Sequence, residues 1–243
     1  MHSLTFLFIA HFPWDQSPLH SDYFESNLDR CDTFVLEYAD PWFSQEADKE
    51  DLYNKLSKRE ISPPIGGKPL DNFTNTLQHM LYGKGKNIVL ERSPLKYDPD
   101  YNRVKEELKK SDIDSATRLY KTESQKIADS IVKRDEELVV KIIEPLLMTD
   151  GVLFSFRGLL HSAHMRCLLK KRSIHATCLR LPTDYVLELD ERIIAAMTLG
   201  EIIEDVEVLR RFFVMKATNV NEGKIESMTE DELRRELLKH VDR

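Results

Sequence analysis

The chain has 243 residues, 41% of them hydrophobic, and sets 35 Lys and Arg against 42 Asp and Glu for a formal net charge of −7. That length and apolar content suffice for a buried core in one large domain or two small ones, and the acidic balance excludes nucleic acid as the expected partner, because phosphate binding calls for a basic excess. No apolar run approaches the roughly 20 residues needed to cross a bilayer, so no membrane span is expected.

In chain order, Leu4–Ala10 is a nearly unbroken run of apolar, β-favouring residues and predicts a central strand of a buried sheet. His11, Pro13 and Trp14 follow directly, and Pro13 stops the strand. Ser21 is placed to cap a short amphipathic helix carrying Tyr23, Phe24 and Leu28, and Thr33–Glu37 is the next strand, ending on a carboxylate. Between Trp42 and Lys86 the pattern is helical, polar and interrupted, with helices over 46–58 and 70–81 and a loop over 63–68. The turn Lys84-Gly85-Lys86-Asn87 leads into Ile88–Glu91, a third apolar run that finishes on a carboxylate.

Residues 99–145 read as almost all helix: a polar one over 101–109, then a long one from near Ser115 with Ile127, Ile131, Leu138 and Ile142 as its buried stripe. Pro145 should kink or end it. Asp150–Phe156 is a turn followed by a run too short for a core helix, hence a buried strand, and it ends at Arg157, Gly158 and His161. The helical pattern Leu159, Leu160, Ala163, Leu168 and Leu169 then leads to a strand over Ser173–Leu181. Strand, helix and strand in that order imply a parallel pair with a crossover helix. After Pro182 come three amphipathic helices, near 190–198, 200–215 and 229–240, with Gly200 and residues 219–223 as punctuation. Their stripes are Ile193, Ile194 and Met197, then Ile202, Val206, Leu209 and Phe213, and Thr229 with Glu232 has the spacing of a capping box.

The expected architecture is therefore α/β: a mainly parallel sheet of Leu4–Ala10, Thr33–Leu36, Ile88–Leu90, Val152–Phe156 and Ile174–Leu179, covered by helices on both faces. Residues 1–181 would form this domain, with a helical insertion at about 42–86, and 182–243 a C-terminal helical extension that serves as added core or as the contact of a homo-oligomer, without catalytic residues. Cys31, Cys167 and Cys178 are odd in number and lack CxxC spacing, and the chain opens without a basic leader or cleavage site, so reduced thiols in a cytoplasmic protein are expected. Lys170-Lys171-Arg172 reads as a solvated helix end.

Four of the predicted strands finish beside His11, Glu37, Glu91 and the turn from Gly158 to His161, and in one parallel sheet those ends share a rim. Outside the carboxyl ends of parallel strands is where open α/β folds carry out polar chemistry. Imidazole nitrogen with carboxylate oxygen is a usual ligand set for a catalytic divalent metal, and the same groups serve equally as acid and base around a water. His164, three residues after His161, would share a helix face with it as a second ligand, and Arg157 at the strand end would hold an anionic group of the substrate. Taken singly, each of these residues also suits an ordinary core, loop or surface role. Trp14 and Trp42 either wall the cleft or pack. No P-loop, dinucleotide fingerprint, nucleophile elbow or zincin motif occurs.

The run Phe8-Ile9-Ala10-His11-Phe12-Pro13, a helix, and Asp32–Glu37 resemble the opening of the TraB/TIKI-type proteins, part of the wider group with ChaN and the erythromycin esterases. Those begin with a strand ending in a GxxH turn, then a helix and a strand ending in glutamate. Lys133-Arg134-Asp135, an apolar helix, a strand and Gly158-Leu159-Leu160-His161 resemble the later ERD or ERN-like motif, strand and second GxxH, so that the likeness spans roughly residues 3 to 180. Phe8 stands where the first motif has glycine, and Lys133 where the other has glutamate. The resemblance implies an α/β fold with a polar cleft that in some relatives supports metal-dependent peptide cleavage or ester hydrolysis. It places His11, Glu37 and His161 on the motif histidines and glutamate and Arg134 on the motif arginine, a guanidinium that would orient or neutralise a carboxylate cluster. Two functions follow as expectations. One is a hydrolase of a small molecule or peptide, in which a metal or a His/Glu pair activates water. The other is a binding protein that keeps the fold without the chemistry.

Overall fold

Five short apolar runs pair into one sheet. In a computed structural model that describes residues 3–9, 30–36, 81, 83–91, 100–149, 152–180, 183–216 and 221–239, the strands are Ser3–Ile9 (β1), Thr33–Leu36 (β2), Asn87–Leu90 (β3), Val152–Gly158 (β4) and Thr177–Arg180 (β5). All pairings are parallel, in the order β3-β2-β4-β1-β5. The expected α/β fold with a single parallel sheet is what these residues form. Phe6 and Leu7 are neighbours and so point to opposite faces, yet both are fully buried. Burial on both faces is why β1 reads as a nearly unbroken apolar run.

The two faces differ. Register sets Leu7 and Leu36 beside Phe156, and Phe34 beside Phe154, and these side chains join Cys31 and Leu81 in one apolar cluster. On the opposite face the same register aligns Phe6 and Phe8, whose rings stack with centroids 5.9 Å apart, with Ser155 and Arg157.

The described helices are Tyr101–Lys109 (α1), Ile113–Leu138 (α2), Glu144–Thr149 (α3), Ser162–Lys171 (α4), Tyr185–Thr198 (α5), Asp205–Lys216 (α6), Glu222–Ser227 (α7) and Glu230–Lys239 (α8). The chain divides into two compact units, one of Met1–Pro94 with Glu136–Leu181 and one of Leu95–Asp135 with Pro182–Arg243. The boundary expected at 181/182 thus coincides with one junction, whereas Leu95–Asp135, expected within the α/β part, groups with the C-terminal helices. The helix expected after Ser21 and the insertion over 42–86 lie outside the described residues, except for residue 81 and residues 83–86, of which 81 and 83 are helical and 84–85 form a turn. Among the described residues no helix is long and apolar enough to cross a membrane.

Several element bounds depart from expectation for identifiable reasons. α2 starts at Ile113 because Asp112 caps it, accepting from the Ser115 backbone N–H at 2.9 Å, a bond that holds the Asp112 carboxyl below its usual range. Its buried line runs through Ala116, Tyr120, Ala128, Ile131 and Leu138, whereas Ile127 and Ile142 are only half-buried. Pro145 does not end the helix. Val139–Ile143 widen into a π-helix, closed by the Glu144 N–H on the Val139 carbonyl, and α3 continues through the proline. The wider turn makes room for a ring that would clash with the carbonyl four residues back. In the C-terminal part α5 begins earlier, capped by Asp184, α7 starts at Glu222, inside the end of the stretch expected as punctuation, and α6 starts only at Asp205, leaving Ile202 exposed and burying Val208, Leu209 and Phe212. The capping box forms as expected, with Glu232 accepting from the Thr229 N–H at 2.8 Å and Thr229 Oγ1 from the Glu232 N–H at 3.3 Å.

The expected strand over Ser173–Leu181 begins only at Thr177, because the preceding residues close α4. Ser173 takes φ 56°, its N–H bonds to the Lys170 carbonyl at 3.1 Å, and the Ile174 N–H reaches the Leu169 carbonyl at 2.9 Å. That is a Schellman closure with serine at the left-handed position. Ser111, at φ 62°, closes α1 in the same way, and Gly200, at φ 77°, closes α5. A left-handed L-residue costs roughly 1–2 kcal/mol, and glycine's extra unfolded-state entropy offsets about 0.4–1 of that. Ser173→Gly and Ser111→Gly are therefore each expected to stabilise the protein by about 0.5–1 kcal/mol in urea unfolding. A loss of stability in both would contradict the left-handed closure.

Candidate functional site

β4 positions the polar groups through its own alternation. Phe154 and Phe156 turn to the apolar face, so Ser155 and Arg157 turn to the other, and Gly158 passes the chain into the 3-10 turn Leu159–His161 that opens α4. On β3, Val89 is in register with Val35 and Val35 with Ser155, which puts Glu91 in step with the same face, and the Glu91 N–H bonds to the Leu36 carbonyl at 3.0 Å. Glu91 and Arg157 thus reach toward each other across the end of β2.

They form an ion pair through Glu91 Oε2 and Arg157 Nη1, with side chains 5% and 0% exposed. On its other side Arg157 Nη2 lies 3.2 Å from His161 Nδ1, and His161 is itself buried. A chain of carboxylate, guanidinium and imidazole therefore runs along the carboxyl ends of β3, β2 and β4 with almost no contact with solvent. Desolvating two charges costs several kcal/mol each, which a close ion pair only partly offsets. The place is topologically special as well. After β1 and β2 the chain moves toward the β3 edge, whereas after β4 it moves to β5, so the direction of winding reverses around β4. Crevices for ligands open at such reversals.

Of the residues expected at the rim, the structure brings Glu91, Arg157 and His161 together. His164 is buried one turn along α4, 9% exposed. Arg134 is half-buried on α2 and belongs to the other compact unit, next to the fully buried Asp135. His11 and Glu37 lie outside the described residues, as do Trp14 and Trp42. Ser155 and Ser162, both buried, are rim-side polar groups that sequence reasoning passed over. The signal for Ser155 was present: a polar residue within an otherwise apolar strand, two before an arginine, is a polar face at period two.

Among the described residues no group of three or more His, Cys, Asp and Glu side chains is arranged to hold a metal ion. His161 fits that role poorly on its own chemistry. A metal-bound imidazole gives its second ring N–H to an acceptor, but the group at Nδ1 is a guanidinium, which only donates. A cation there would also sit against the positive end of α4, which His161 caps. No family model, curated protein or solved structure matches this chain, so the likeness to the TraB/TIKI-type proteins stands on its motifs alone.

Proposed function

We propose that the chain is a hydrolase of TraB/TIKI type, acting on a small-molecule or peptide carbonyl at the carboxyl rim of its sheet. The buried line from Glu91 through Arg157 to His161, at the strand where the winding reverses, carries this reading. A fold gains little stability from desolvating such groups, and the carboxyl ends of parallel strands at a reversal of winding are where open α/β sheets bind ligands. Glu37 directly follows Leu36 and His11 follows Ile9 by two residues, so in sequence both adjoin the same rim. They would supply the proton acceptor that activates water, with or without a divalent metal held between them. The free thiols of Cys31, Cys167 and Cys178 suit a reducing, cytoplasmic setting.

The test is turnover of small activated esters and short peptides by the full chain, with and without added zinc or manganese. His11→Ala and His161→Ala should each lower kcat/KM by about 10²-fold or more with far-UV dichroism unchanged. Failure to turn over any of these substrates would count against a hydrolase, and full activity in His11→Ala would remove His11 from its chemistry. Arg157 is engaged by both Glu91 and His161, and that observation favours a second reading, a binding protein whose rim is held together without chemistry. Ligand binding that survives in the absence of any turnover would establish it.

A further inference from the structure

We infer that Arg157 is a positioning residue that fixes the ring proton of His161 on Nε2, making His161 a hydrogen-bond donor to the anionic oxygen that develops when a carbonyl is attacked. This rests on the hydrolase reading for its purpose, but the position of the proton can be measured without any activity.

A guanidinium carries five N–H donors and no acceptor, so the 3.2 Å contact of Arg157 Nη2 with His161 Nδ1 is a hydrogen bond only when Nδ1 holds a lone pair. The ring's proton is then on Nε2. Arg157 is held where it is from several sides. Its side chain is fully buried, Glu91 clamps Nη1, and its backbone is in register with Phe8 inside the sheet. The 3-10 turn Leu159–His161 returns the imidazole to within reach of an arginine only four residues earlier.

Three roles of an active-site histidine are separated by this arrangement. A metal ligand at Nε2 needs the proton on Nδ1, where it would face a second donor. A general base acting through Nε2 needs the lone pair there, and it is on Nδ1 instead. A donor to an oxyanion needs an N–H on Nε2, which is what Arg157 supplies. Glu91 completes the device, because its carboxylate balances the guanidinium and turns Arg157 inward to the histidine. The substrate-holding role expected for Arg157 from sequence passes in this way to His161.

Long-range proton–nitrogen correlation spectra of full chain with isotope-labelled histidine test this, with the His161 signals assigned from His161→Gln. The expected pattern is one tautomer at neutral pH, with Nε2 protonated and Nδ1 bare. Arg157→Met should convert it to an average of two tautomers, and Arg157→Lys, which still donates, should restore it. Protonated Nδ1 in the wild-type protein overturns the inference, and that spectrum decides alone if Arg157→Met does not fold. In a zinc titration His161→Gln should leave the affinity unchanged, whereas losing a true ligand would weaken it by at least the roughly 10–100-fold that losing an outer-shell partner costs, and such a loss would equally overturn the inference. Bare Nδ1 in a protein that hydrolyses nothing would leave the inference about the tautomer standing and refute the hydrolase reading.

Discussion

Arg157→Met is expected to lower the unfolding free energy by about 3–5 kcal/mol, because it leaves Glu91 buried and ionised without its partner. The double replacement Glu91→Leu with Arg157→Met should recover most of that loss or exceed wild-type stability, since replacing a buried ion pair by apolar groups of similar volume is often neutral or stabilising by about 1–4 kcal/mol. Urea unfolding of the two single variants and the double variant measures both statements. The double variant should be stable and inactive. If it keeps its activity, the ion pair is part of the scaffold and has no place in the chemistry. If the single variants unfold no more easily than the wild type, the pair is not buried as described.

The second large effect lies in the helical unit. Phe212 is fully buried and meets the Tyr120 ring edge-on at 5.4 Å, while Tyr120 stacks on Tyr101 at 5.5 Å. The Tyr120 hydroxyl donates to Asp190 Oδ1 at 2.8 Å, and Arg211 grips the same carboxylate at 2.6 and 3.0 Å, so the ring that Phe212 supports is fixed at both ends. Burial, then the Asp190 charge, pushes the Tyr120 phenol far above its ordinary pKa, which favours the protonated form that donates to Asp190. Phe212→Ala should cost about 3–5 kcal/mol, and Phe212→Leu distinctly less because it leaves a smaller void. Equal, small losses in the two variants would show that the aromatic stack is not the centre of this core.

Much of the sheet was legible because β1 and β2 are buried on both faces and so appear as nearly continuous apolar runs, a pattern that leaves little choice but a covered parallel sheet. What could not be read were events decided by backbone geometry. Serine at the left-handed position of a helix closure carries no signal, so Ser173–Ala176 was expected to be strand and Ser111 passed unnoticed, whereas Gly200 announced its turn. The stripe over Ile202–Phe213 fails because the closure after α5 and the late start of α6 shift the helical phase. At the rim, His161 stood out as an imidazole after a strand and a glycine. Arg157 and Glu91 were visible only as strand-end charges, because their pairing depends on strand order, which sets β2 between them.

The alternation along β4 also bears on how the sheet assembles. A slip of one residue would exchange its two faces, bringing Arg157 into the layer of Leu7, Phe34 and Leu36 and moving Phe156 to the side of Glu91. For a purely apolar strand such a slip costs only imperfect packing. Here it strands a guanidinium among hydrocarbons and deprives a carboxylate of its counterion, a penalty of several kcal/mol incurred as soon as the wrong pairing closes. The charges at the end of β4 thus set the energy of the slipped sheet well above that of the native one and specify a single alignment.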